Sequence, residues 1–185
     1  LKTALRLLKG QMIETDKEIE FLSQQLENLN KCENEADIKE IRQELVEFGY
    51  IKTQKVKEKI VQSKPMHFVS SSGIDIFVGK NNTQNDRLTM HFAKPTDLWL
   101  HTKDLHGSHV IIASNEPDDK TVEEAALLAA YYSKGKESSL VPVDATLKKY
   151  VKKPAGSMLG KVIYTNQTTY YVTPTADIIK NIIKK

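Results

Sequence analysis

The stretch MHFVSSSGIDIFVGKNN, residues 66–82, is where the chain changes character. Two short apolar-alternating runs, 66–70 and 74–78, flank the turn SSG, which predicts a β-hairpin. The chain before it has helical spacing, and much of the chain after it alternates like strands. NNTQNDRLTMHFA then reads as a short helix with Asn82 as N-cap. DLWLHT and SHVIIA read as strands around KDLHG. Thr121 to Glu124 predicts a capping box opening a helix that Gly135 closes. SLVPVD is strand-like, KVIYT and TYYVTP predict a final hairpin across NQT, and the tail TADIIKNIIKK reads as helical. The expected class is α+β: a long coiled-coil arm (1–50), a basic linker (51–65) and a mixed domain (66–185).

Working back from residue 66, the positions Leu1, Leu5, Leu8, Met12, Thr15, Ile19, Leu22, Leu26 and Leu29 advance in steps of four and three. Only Thr15 interrupts the apolar stripe. Such a heptad repeat predicts a coiled coil, with a helix about 45 Å long at ~1.5 Å per residue. Ile38, Ile41, Leu45 and Phe48 resume helical spacing, so a helix over 37–48 can fold back on the end of the first, stopped by Gly49. It is too short to cover the seam, whose remainder needs an upstream segment or a second copy. YIKTQKVKEKIVQSKP fits either a linker or a solvated continuation of the arm.

The 185 residues carry one cysteine, Cys32, which excludes a disulfide framework and a cysteine zinc site. No apolar run reaches the roughly 18 residues of a membrane helix, so no membrane insertion is expected. LKTALRLLKG has neither a starting methionine nor the apolar core of a signal peptide, and the chain reads as a piece of a longer protein. The net charge of +3 divides unevenly: residues 1–63 carry 11 basic and 12 acidic residues, leaving the basic excess to the rest. That excess is weak support for a polyanionic partner.

Three groups of residues carry chemistry. Gly73 to Gly79-Lys80 is one residue too long for a nucleoside-triphosphate loop, and Asn81 stands where that loop needs Ser or Thr. A strand, Gly-Lys and helix start still gather backbone N–H groups, Lys80 and asparagine amides, which suits an anion as well as it suits a capped turn. His101, His106 and His109 lack metal-ligand spacing, although Asp104 or Asp86 could add an oxygen ligand if they converged. Ser108 lacks a nucleophile elbow, and hydrogen-bonded histidines beside a core Trp99 are an equally good reading. Lys148, Lys149, Lys152 and Lys153 pair at i/i+4 spacing if helical, forming either a phosphate-attracting patch or a solvated face.

FVSSSGIDIFVGKNNTQNDRLTMHFAKPTDLWLHTKDLHGSHVII, EEAALLAAYYSK and SSLVPVDATLKKYVKKPAGSMLGKVIYTNQTTYYVTP are more specific than any of these motifs. Together they resemble the C-terminal R domain of the NFACT family. That family includes bacterial RqcH proteins, also labelled fibronectin-binding protein A, and eukaryotic NEMF. The heptad helix and IRQELVEFGYIK resemble the second half of the family's long coiled coil. The resemblance implies a cytoplasmic factor in ribosome-associated quality control. Such a factor binds the large ribosomal subunit and tRNA and promotes alanine tailing of stalled chains. It implies RNA binding through Lys80, Asn81, Asn82, Gln84, Asn85, Asp86, His101, Lys103, Asp104, Ser108 and His109, joined by Lys148, Lys149, Lys152 and Lys153 from the basic patch. Gly79 and Gly107 match the pattern too, whereas His106 stands at the family's usual proline. The family's N-terminal tRNA-selecting domain is missing from this stretch, so complete tailing is not expected of it. No enzyme activity, metal or other cofactor is expected. The competing reading is a fibronectin-binding region displayed at the cell surface without a signal peptide.

Overall fold

The computed structural model describes residues 2–52, 62–180 and 182–185. Helix α1 spans Lys2–Leu29 and helix α2 spans Glu35–Glu47. Asn34 caps α2 by accepting a hydrogen bond from the Asp37 N–H at 3.1 Å, and Gly49 ends the turn at φ 79°, a conformation open to glycine at little cost.

The fold-back forms, but on another face of α1 than the heptads predict. Leu5, Leu8, Met12, Ile19, Leu22, Leu26 and Leu29 are 43–64% exposed. The buried stripe is Phe21, Gln25 and Asn28, with the Phe21 ring 4.6 Å from Phe48 and 5.5 Å from Tyr50. The heptad seam is thus left open even where α2 lies alongside. Most of the 51–65 linker lies outside the described residues, but its end is structural, since Ser63 is buried against Glu40.

Strands β1 (Met66–Val69), β2 (Asp75–Val78), β3 (Leu98–Thr102) and β4 (Val110–Ile112) form where the alternation predicts them. With β5 (Val141–Leu147), β8 (Thr168–Val172) and β9 (Ile183–Lys184) they build a seven-stranded antiparallel sheet in the order β8-β5-β3-β4-β2-β1-β9. Helix α4 (Asp119–Tyr131) crosses one face. Its alanines 125, 126, 129 and 130 are fully enclosed and let the backbone approach Leu100, Val110, Ile112 and Val143 closely. The other face buries Trp99 and Ile111 beneath Leu88 and Val151. Leu88 opens a π-helical turn, Leu88–Phe92, that continues helix α3 (Asn82–Arg87). Val151 belongs to a small ribbon of β6 (Val151–Lys152) and β7 (Ile163–Tyr164).

Five local expectations are corrected. The N-cap of α3 is Asn81, not Asn82, because the Asn81 side chain accepts from the Gln84 N–H at 2.8 Å. The N-cap of α4 is Asp118, which accepts from the Thr121 N–H at 3.0 Å. Glu124, freed from the capping box, accepts from the Ser71 N–H at 2.9 Å, and Tyr132 rather than Gly135 caps the end. The hairpin across NQT does not form: β7 pairs with β6, while β8 pairs with β5. The tail is helical only over Ala176–Lys180 (α5), after which β9 joins the sheet edge beside β1.

Candidate functional site

The turn after β2 meets α2 through a dense polar contact. Residues Asp37, Glu40, Ile41 and Glu44 recur at helical spacing and form the buried face of α2, three carboxylates around one isoleucine. Against them sit Lys80 and the start of α3. The Lys80 ammonium is 2.7 Å from Asp37 and 3.3 Å from Glu33. Asn81 donates to Glu40 at 2.9 Å and Asn82 to Glu44 at 3.0 Å. Gln84 reaches Asp37, Glu40 and Ser63, and Arg87 donates to Glu40 at 2.7 Å. Thr83 closes on Glu44 through its N–H and hydroxyl, and Gln25 brings α1 to the same carboxylate at 2.8 Å.

Burial acts to raise Asp37, Glu33 and Glu40, but the donors around them outweigh it. Lys80 holds Asp37 below its ordinary range, Lys184 and Lys80 do so for Glu33, and Ser63, Asn81 and Arg87 do so for Glu40. The carboxylates are therefore charged, and the amides and cations around them answer that charge. The expectation that Lys80, Asn81, Asn82 and Gln84 form an open phosphate-contacting surface is corrected here. They are at most 6% exposed, and their donors are spent on the arm.

Behind this contact lies a second buried group. Asn85 accepts from the His109 N–H at 3.0 Å, and the Thr89 hydroxyl lies 2.7 Å from His109 Nδ1. His109 and His101 stand 5.3 Å apart, edge to face, and both pack on Trp99. Burial pushes His101 down to about 4 and His109 well below its usual value, so both rings are neutral near pH 7. Ser108 is enclosed and accepts from Lys31 at 3.3 Å. Asp86 is ion-paired with Lys153 at 2.6 Å. Among the described residues no three of His, Cys, Asp and Glu converge on a possible metal position. His109, Ser108, Asn85 and Asp86 thus sit inside the domain rather than on its exterior, which corrects the expectation that they form an RNA-contacting surface.

The remaining predicted residues do reach solvent, but in separate places. Lys103 and Asp104 are exposed at the β3–β4 turn, where Asp104 adopts φ 54°, with His101, half-buried, just before them on β3. Lys148, Lys149 and Lys152 lie at the other end of β3, where the Lys148 N–H bonds the Asp97 carbonyl. The lysines do not share a helix face: Lys148–Tyr150 is a single 3-10 turn followed by β6. Lys149 and Lys152 are exposed, and the Lys149 ammonium lies 5.0 Å over the Tyr150 ring. Glu33, Asp37, Glu40, Glu44, Ser63 and Arg87 were not singled out from the sequence. The four carboxylates advance by four, three and four residues, a stripe that reads as a solvated face until its partner is known.

Comparison with known proteins places this geometry. Residues 64–166 match the family model described as NFACT protein RNA binding domain, and residues 1–64 match NFACT N-terminal and middle domains. The Rqc2 homolog RqcH of Bacillus subtilis is 46% identical over 182 residues, covering 96% of this chain and 32% of that protein. The protein of the same name from Streptococcus suis is 44% identical over 184 residues, covering 98% and 33%. The chain therefore spans about a third of the length of these curated relatives. Among solved structures, the C-terminal part of the fibronectin/fibrinogen-binding protein from Streptococcus suis matches with a TM-score of 0.83 at 43% identity, covering 98% of this chain and 74% of that one. With both of its parts matched in order, and an arm seated on a sheet domain, this chain belongs to the NFACT family.

Proposed function

We propose that this chain is the arm and RNA-binding module of an RqcH-like ribosome-associated quality-control factor. Its partners are tRNA and the large ribosomal subunit, and it acts in the cytoplasm. The observation that carries the reading is the match of residues 64–166 to an RNA-binding domain, within a chain whose full-length relatives are named Rqc2 homologs. Lys149 and Lys152, with half-buried Lys148, supply phosphate contacts by releasing counterions. Lys103, Asp104 and half-buried His101 supply a second contact at the far end of β3, roughly 17 Å away at ~3.4 Å per residue. Alanine tailing of stalled chains belongs to the whole factor, and the part played here is binding rather than turnover. Among the described residues no helix is long and apolar enough to cross a membrane.

The solved relative's name supports a second reading, binding to fibronectin. The two are separated by measuring binding to tRNA, large subunits and fibronectin side by side over a salt series. The RNA reading expects salt-sensitive tRNA and subunit binding that weakens, with a flatter salt dependence, in Lys149→Gln/Lys152→Gln. Saturable fibronectin binding with no tRNA or subunit binding at low salt would replace it with the second reading.

A further inference from the structure

A cleft of about 500 Å³ lies between the end of α1 and the end of α4. It is distinct from the α2 contact and from the lysines of the 148–152 turn. Lys31 forms its arm wall; Tyr131, Tyr132, Lys134 and Lys136 form its domain wall. It adjoins a narrower recess bounded by Asn28 and Gly107.

Two groups at this cleft and the recess beside it are incompletely partnered. Burial pushes the Lys31 ammonium down to about 8. Its hydrogen bond is to the Ser108 hydroxyl at 3.3 Å. Glu27 attracts this cation from the same helix end without pairing with it, so the ammonium is only partly compensated and an incoming anion would relieve it further. Asn28 is 2% exposed, and its side-chain Nδ2 finds no acceptor. The Lys136 ammonium lies 4.7 Å over Tyr131, whose ring is perpendicular to Tyr132 at 5.1 Å. Lys134 and Lys136 are exposed. Glu27 and Glu137 also line the cleft and bar an anion from their side of it.

We propose that this cleft is a nucleotide subsite for single-stranded RNA, with a phosphate held by Lys31, Lys134 and Lys136 and an unpaired base stacked on Tyr131. It rests on the RNA-binding reading above and names where an unstacked nucleotide is taken. Cations beside an aromatic face match the two halves of a nucleotide. The volume falls within the usual range for small-molecule sites. Since one wall is arm and the other is domain, the subsite exists only while the α2 contact holds the two together.

The test is binding of a fluorescent single-stranded RNA oligonucleotide to the 185-residue chain across salt concentrations. Tyr131→Ala should weaken binding about tenfold without changing the salt slope, and Tyr131→Phe should restore it. Lys136→Gln, at an exposed position, should weaken binding and flatten the log–log slope by about 0.7. Lys31→Gln should do the same. Oligonucleotides carrying 4-thiouridine should crosslink within residues 131–136. If RNA binds but these variants match wild type and crosslinks fall elsewhere, the subsite is wrong and the RNA reading stands. If wild type binds neither the oligonucleotide nor tRNA, both fall. A poly-glutamate peptide that binds with the same dependence on Tyr131 would overturn the nucleotide in favour of an acidic chain.

Discussion

Lys80 and Asp37, 43 residues apart in sequence, meet at 2.7 Å with side chains 2% and 0% exposed. This pair is the centre of the contact that fixes the arm to the domain. Breaking one side of a buried pair leaves an uncompensated charge, which costs about 3–5 kcal/mol. Lys80→Met should therefore destabilise arm docking by about that much, while Lys80→Met/Asp37→Leu should recover most of it. Urea unfolding followed by circular dichroism measures both, and a Lys80→Met change below about 0.5 kcal/mol would show that the pair does not hold the arm.

Acid should loosen the structure in two stages. His101, pushed to about 4, and His109, pushed lower, stay neutral in the folded chain while the unfolded chain takes up protons near pH 6.5. Stability is therefore lost as pH falls from about 6.5 towards 4, by up to about 1.4 kcal/mol per pH unit for each ring. Asp37, Glu33 and Glu40 have lowered folded values, so their contribution is present above the ordinary 3.8 to 4.5 and lost below it. Thermal midpoints measured from neutral to acid pH should show both stages, and His101→Gln should shrink only the first. A flat profile down to pH 4.5 would refute the histidine assignment.

Gly79 ends β2 against Asn85. A Cβ there would stand 2.1 Å from Asn85 Oδ1, the atom that accepts from the His109 N–H. Gly79→Ala should displace Asn85, uncouple α3 from β4 and cost about 1–3 kcal/mol. Amide hydrogen exchange should show lost protection at His109, and unchanged protection there would contradict this account.

The open heptad seam of α1 should drive association. With Leu8 and Ile19 each more than half exposed, Leu8→Asp/Ile19→Asp should abolish concentration-dependent self-association in analytical ultracentrifugation and leave the domain folded. A wild-type chain that remains monomeric at high concentration, with a stable arm, would argue against a seam that pairs.

Much of the fold was legible because its signals are local. Alternation between buried and less buried positions located β1 and β2, and apolar runs located β3 and β4. The spacing of apolar residues located α1, and Ile41 helped to place α2. The pairing of the C-terminal strands was not legible. Tyr164 and Thr169 both bond Asp144, at 2.8 and 2.6 Å, and so flank β5 instead of facing each other across a turn. Strand propensity marks an extended segment but does not choose its neighbour.

The polar stretch from Lys80 to Arg87 shows the same division more sharply. Its sequence alone determined a strand end, a tight turn and a capped helix start rich in donors. Whether those donors meet water, a phosphate or a carboxylate depends on residues about forty positions away, folded back by the turn before α2. Tertiary structure decided chiefly for the carboxylates of α2, because buried donors must be paired and that face brings Asp37, Glu40 and Glu44 within reach.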